Sequence, residues 1–138
     1  MACKTLDTDI LVAFLRGSKE AKAIISMLVD SYERLNTTII NLFELYYSAY
    51  RVGSEKHIVS VRRLENSIDI LGIDGRIAEE AGKEYARLSK LGQLIDIRDL
   101  LIGVIAREHK CDIITGNVKH FSRIDGLKVV DWRNMLRK

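Results

Sequence analysis

Apolar residues at Ala21, Ile24, Ile25, Leu28, Val29 and Tyr32 recur at spacings of three and four, the stripe of an amphipathic helix over residues 19–33. The other apolar stretches are short and end on glycine or polar stops. Residues 2–6 predict a buried strand, and residues 8–16 a helix that Gly17 closes. Residues 34–37 predict a second strand, residues 39–52 a mostly apolar helix ended by Gly53, and Ser54 caps a more polar helix reaching residue 65. A third strand is expected over residues 67–71. Asp74 caps a helix whose inner face is read as Ile77, Ala78, Ala81, Tyr85 and Leu88, stopped by Gly92. Residues 98–110 read as a buried helix, and residues 112–115 and 127–130 as the last two strands.

Strands alternating with helices, through connections too long for hairpins, predict an α/β fold: a three-layer sandwich with a mainly parallel central sheet flanked by helices. Neither repeat nor linker divides the 138 residues, so one domain over 1–138 is expected.

Composition narrows the class. The chain is 47% hydrophobic and 30% charged, a globular balance that excludes a disordered tail. Its longest apolar runs, residues 10–15 and 100–106, fall far short of the roughly 20 residues that cross a bilayer, so no membrane association is expected. A net charge of +3 permits a nucleic-acid partner without demanding one. The start of the chain lacks the pattern of a secretory leader, and Cys3 and Cys111 show no CxxC spacing, which together predict a reducing cytoplasmic location.

The acidic residues carry the candidate chemistry. In a parallel α/β sheet, ligands bind beyond the carboxyl ends of the strands. Asp7 follows the first strand and Asp9 comes two residues later; Glu44 is the sole charge between Ile39 and Tyr50; Thr115 ends the fourth strand and leads to Asn117 and His120. Asp99, with Asp96 three residues before it, stands at the start of an otherwise apolar helix. Each acid alone has an ordinary explanation: a helix cap for Asp7, Asp9 and Asp99, an arginine partner for Glu44. Converging carboxylates would raise one another's pKa values unless a hard cation such as Mg²⁺ or Mn²⁺ neutralised them. One metal site accounts for all three segments at once.

Four segments, LDTDILVAFL, NLFELYYSA, RDLLIGVIAREHKCDIITGN and KHFSRIDGLKVV, resemble in order and spacing the PIN-domain nucleases, and most closely the VapC-type toxins of prokaryotic toxin–antitoxin pairs. That resemblance implies Mg²⁺- or Mn²⁺-dependent hydrolysis of RNA, a VapB-type antitoxin covering the site, and a homodimer through apolar helices. It makes Asp7, Glu44 and Asp99 the metal-binding acids and Asn117 the polar residue at a fourth corner, with Thr115, Asp96, Asp9 and His120 supporting. Asn117 and His120 stand where many relatives carry another acid, Gly116 where arginine is common, and Gly103 where alanine is frequent.

Lys119 and Arg123 adjoin the proposed site and are candidates to hold an RNA backbone. Arg51, Lys56, Arg62, Arg63 and Lys128 are weaker candidates, equally read as solvated faces. His57, His109 and His120 with the cysteines form no zinc spacing. Tyr46, Tyr47 and Tyr50 are expected in the core or at a dimer interface. Two further functions remain open on the residues alone. One is a PIN-like binding module without catalysis, which the non-acidic fourth corner would suit. The other is a phosphatase using DTD near the start, a reading that leaves Glu44 and Asp99 unexplained.

Overall fold

A computed structural model describes residues 2–31 and 33–136. Five strands form one sheet: β1 (Cys3–Leu6), β2 (Arg34–Thr38), β3 (Asp69–Leu71), β4 (Asp112–Thr115) and β5 (Val129–Asp131). Every neighbouring pair is parallel, in the order β3-β2-β1-β4-β5. The helices are α1 (Thr8–Leu15), α2 (Lys19–Asp30), α3 (Ile39–Val52), α4 (Glu55–Glu65), α5 (Gly75–Lys90), α6 (Ile97–Glu108) and the short α7 (Val118–Phe121); a 3₁₀ turn, Trp132–Asn134, follows β5. The expected three-layer α/β sandwich is what the chain forms.

Alternation along β4 shows how the layers are held. Ile113 and Ile114 are consecutive and fully buried, so they point to opposite faces of the sheet. Ile114 and Leu6 join α1, α2, α3 and α4 in one core, built on Ile10, Leu11, Ile24, Leu45 and Val61. Ile113 joins α5 and α6 in the other, with Ile77, Leu88, Leu100, Ile105 and Phe121. A Cβ at Gly103 of α6 would run into the Ile124 side chain, so glycine there lets the loop after α7 lie close.

Several expectations need correcting. Helix α2 stops at Asp30, and Tyr32, the last member of its stripe, lies outside the described residues. The stripe of α5 is Ile77, Ala81, Glu84 and Leu88, at i, i+4, i+7 and i+11; Ala78 and Tyr85 face outward. Glu84 is buried because Arg87 donates to it twice and the Asp125 amide once, at 2.8 Å, which supplies the partners a buried charge requires. Helix α7 and the 3₁₀ turn were unforeseen. Cys3 and Cys111 form a disulfide where the β1–β4 register sets them side by side, a pairing that a reducing location does not suggest.

Candidate active site

Chain order reverses between β1 and β4: β2 and β3 lie on one side of β1, β4 and β5 on the other. The crevice at the carboxyl ends of these two strands is the place where an open α/β sheet gathers ligands. Asp7 leaves β1 there, its amide donating to the Ile114 carbonyl of β4 at 3.0 Å.

Although Asp7 occupies the position before α1 where capping is expected, its side chain makes no capping bond. Both of its oxygens are used elsewhere. Asn41 Nδ2 donates to Asp7 Oδ1 at 3.0 Å, and Thr115 Oγ1 donates to Oδ2 at 2.7 Å. Burial, with a smaller contribution from the charges of Asp9 and Asp99, raises the Asp7 pKa to about 6, against the hydrogen bond from Thr115.

From Asp7 the hydrogen bonds run in two directions. Toward β2, Asn41 Nδ2 also donates to Thr8 Oγ1 at 2.9 Å, and Thr8 Oγ1 donates to Glu44 Oε1 at 2.8 Å. Toward β4, the Thr115 hydroxyl that holds Asp7 accepts the Asn117 amide at 2.9 Å, and Asn117 Nδ2 donates to Asp99 Oδ2 at 3.1 Å. His120 Nδ1 lies 3.4 Å from the same Asp99 oxygen. A continuous network therefore links Glu44 of α3, Asp7 just after β1 and Asp99 of α6. Burial raises the pKa of Glu44 and of Asp99; the Asp99 and Asp96 charges add to the rise at Glu44, and Asp96 to that at Asp99.

The ordinary readings of these acids divide. Glu44 does have an arginine partner, Arg98, whose Nη1 lies 3.6 Å from Oε2. Asp99 is not a cap: Asp96 takes that role on α6, accepting the Arg98 amide at 2.8 Å, and it also pairs with the Arg98 guanidinium. Arg98 and its own amide hold the Asp96 pKa down. Asp9 ties distant segments together, accepting from the Gly116 amide at 2.7 Å and from Trp132 Nε1 at 3.2 Å.

Among the cationic candidates, Lys119 is exposed beside the site. Arg123 is engaged elsewhere, donating to the Leu94 carbonyl at 3.1 Å. Lys128 lies 3.7 Å from Asp112 at the amino edge of the strands, away from the acids. Arg51, Lys56, Arg62 and Arg63 lie exposed on α3 and α4. Tyr46 is half-buried and donates to Glu65, whereas Tyr47 and Tyr50 are exposed.

Asn41, Arg98 and the Trp132–Arg133 pair were missed at the sequence level. Asn41 had a local signal, because Thr38 and Asn41 form a capping box at the start of α3 that buries the amide. Trp132 and Arg133 had none, since their contacts with Asp9 and Gly116 arise only in three dimensions.

The donor set suits a hard divalent cation. The Asp7 oxygens accept from the neutral donors Asn41 and Thr115, and the Asp99 charge adds to the rise that burial gives the pKa values of both Asp7 and Glu44, a repulsion that a cation would relieve. Among the described residues no three His, Cys, Asp or Glu side chains close into a ready-made cage. A cation held here would keep part of its water shell, as Mg²⁺ commonly does.

Residues 4–127 match the PIN domain family model. The chain belongs to the PIN domain family. This PIN domain is 31% identical over 131 residues to ribonuclease VapC1 of Haemophilus influenzae (strain R2866), covering 92% of this chain and 96% of that protein. It is 30% identical over 94 residues to the tRNA(fMet)-specific endonuclease VapC of Shigella flexneri, covering 67% of this chain and 71% of that one. Among solved structures, VapBC-1 from nontypeable Haemophilus influenzae superposes with a TM-score of 0.82 at 30% identity, over 95% of this chain and 98% of that chain.

Proposed function

We propose that this PIN domain is a divalent-metal-dependent endoribonuclease, the toxin of a VapBC-type toxin–antitoxin pair, with Asp7, Glu44 and Asp99 as its metal-binding acids. One observation carries the reading: acids from three separate segments meet at the β1–β4 crevice through a single hydrogen-bond network. A phosphatase that used Asp7 as nucleophile would leave Glu44 and Asp99 without a task.

When bound, Mg²⁺ or Mn²⁺ would neutralise phosphoryl charge and lower the pKa of attacking water. The chain's own residues prepare that chemistry. Asn41 and Thr115 fix the Asp7 carboxylate from two sides, so it needs little reorganisation as charge develops. Thr8 orients Glu44 in the same way. Asn117 and His120 hold Asp99, and the half-exposed Arg98 guanidinium beside Glu44 offers a cation to the RNA backbone, as does exposed Lys119 between Asn117 and His120 in the chain. No side chain is needed as a covalent nucleophile. The substrate is RNA, and tRNA is the class after which the Shigella relative is named.

The partner is a VapB-type antitoxin. An apolar groove of about 550 Å³ runs beside α1, α2 and α4, lined by Leu11, Phe14, Ile25, Val29, Leu64 and Ile68, and an amphipathic helix of the antitoxin would fill it. Exposed Ile39, Phe43, Tyr47 and Tyr50 form an unpartnered stripe on α3 that suits a homodimer interface. The expected location is the cytoplasm; among the described residues no helix is long and apolar enough to cross a membrane.

The test is RNA cleavage by the purified protein with Mg²⁺, with Mn²⁺ and with chelator, beside Asp7→Asn, Glu44→Gln and Asp99→Asn. Cleavage that needs the cation and is lost in the variants supports the reading. Cleavage that survives chelator, or all three substitutions, overturns it.

A further inference from the structure

Asp99, Asn117 and His120 meet in a triangle at the edge of the site. Asn117 Nδ2 lies 3.1 Å from Asp99 Oδ2 and 3.2 Å from His120 Nδ1, and Nδ1 lies 3.4 Å from Asp99 Oδ2. An imidazole nitrogen, a carboxylate oxygen and an amide donor thus lie within 3.4 Å of one another. Two atoms that each ligate one ion at about 2.1 Å, at adjacent corners of an octahedron or tetrahedron, stand about 3.0–3.4 Å apart. The Nδ1–Oδ2 separation of 3.4 Å matches the tetrahedral edge, and the octahedral one that Mg²⁺ and Mn²⁺ prefer asks the pair to close by about 0.4 Å.

The surroundings suit ligation. Phe121, next to His120 on α7, is fully buried and anchors the helix. The His120 side chain itself is 41% exposed, so an ion can reach it without unfolding anything. Turning the Asn117 amide over would present Oδ1, an acceptor, where Nδ2 now donates.

We propose that His120 Nδ1 is a direct ligand of the cation held by Asp99, making the centre a mixed nitrogen–oxygen site that selects Mn²⁺ over Mg²⁺. Mg²⁺ takes oxygen ligands and gives up water reluctantly, whereas imidazole suits transition ions better. Selectivity then follows from one ring nitrogen. The inference rests on the metal-dependent reading above and assigns this chain's own departure at residue 120.

The experiment titrates Mn²⁺ into the full chain and competes it with Mg²⁺, following free Mn²⁺ by electron paramagnetic resonance. Pulsed measurements on the bound ion report ¹⁴N coupling. Wild type is compared with His120→Ala, His120→Asp and Asp99→Asn, each checked for folding by circular dichroism. The expected result is a histidine ¹⁴N coupling in wild type, absent from both His120 variants while Mn²⁺ still binds. In His120→Asp, the Mn²⁺ to Mg²⁺ affinity ratio should fall roughly tenfold, in the range that metal-site substitutions produce. Bound Mn²⁺ that depends on Asp99 but shows no nitrogen coupling in wild type overturns this proposal and leaves the metal-dependent reading intact. Wild type that binds no Mn²⁺ overturns both.

Discussion

Asp9 Oδ2 accepts the Gly116 amide at 2.7 Å, and a Cβ placed on Gly116 would stand 2.6 Å from that same oxygen. The Asp9 carboxylate has little freedom to yield, because Oδ1 accepts the Ile10 amide and Oδ2 also accepts Trp132 Nε1. Gly116→Ala therefore displaces Asp9, releases Trp132 and shifts Asn117, the next residue. The expected cost is about 1–3 kcal/mol of stability from overpacking, and cleavage reduced up to roughly a hundredfold by misplacement of Asn117. Denaturant unfolding and single-turnover cleavage measure the two; wild-type values for both would mean that the close approach is slack.

Thr115 performs two tasks with one hydroxyl, donating to Asp7 and accepting the Asn117 amide. Thr115→Val keeps the β-branched shape of the strand end and removes both bonds. Cation affinity and cleavage are expected to fall by about 10- to 100-fold, the usual effect of losing a partner that orients a metal ligand, and Thr115→Ser should restore most of it. Titration of Mn²⁺ beside cleavage assays separates binding from turnover. A valine variant with unchanged cation affinity would show that the Thr115 bond does not orient Asp7.

The raised pKa of Asp7 makes stability depend on pH in a definite direction. An acid whose folded pKa, about 6, exceeds its ordinary 3.8 holds protons more tightly when folded. It favours the fold fully below the unfolded value and loses that contribution as pH rises through about 6. Glu44 and Asp99 act with the same sign. Glu84 and Asp96, with lowered pKa values, lose their contribution only at more acidic pH. In chelator, the unfolding free energy should thus decline between about pH 5 and pH 7. Asp7→Asn should abolish cleavage yet gain on the order of 1–3 kcal/mol at pH 7. Saturating Mn²⁺ should flatten the slope for wild type. A chelated wild-type protein more stable at pH 7 than at pH 5 would contradict this account.

Much of this was legible in one dimension because it depends on local pattern. The period of α2, the apolar run of α6 and the short strands separated by helices led directly to a parallel sandwich. Asp7, Glu44 and Asp99 were conspicuous as acids at strand ends or within apolar helices. Glu84 was not, because a rule that places acids outside misplaces one whose partners, Arg87 and the Asp125 amide, lie on its own next turn and 41 residues away. The roles of Asp96 and Asp99 at the start of α6 were also ambiguous, since either spacing suits a cap and only the backbone shows which carboxylate meets the amides. Trp132 reaches Asp9 across a separation of 123 residues, a contact that no periodicity encodes.

The Cys3–Cys111 disulfide, closing a separation of 108 residues, bears on stability and not on the site. It joins the amino ends of β1 and β4, whereas Asp7 and Thr115 lie at their carboxyl ends. A cross-link of this span restricts the unfolded chain, so reduction, or Cys3→Ser with Cys111→Ser, is expected to lower the unfolding free energy by about 2–4 kcal/mol. The strands stay paired without it, because the β1–β4 register and the Asp7 amide bond to the Ile114 carbonyl remain. Cleavage at temperatures well below the unfolding midpoint should therefore be the same with and without reductant. Denaturant unfolding and RNA cleavage on one preparation, with thiols counted by alkylation and mass spectrometry, check both halves. A rate that falls when the bond is reduced, while the protein stays folded, would show that the amino edge of the sheet is coupled to the Asp7 carboxylate.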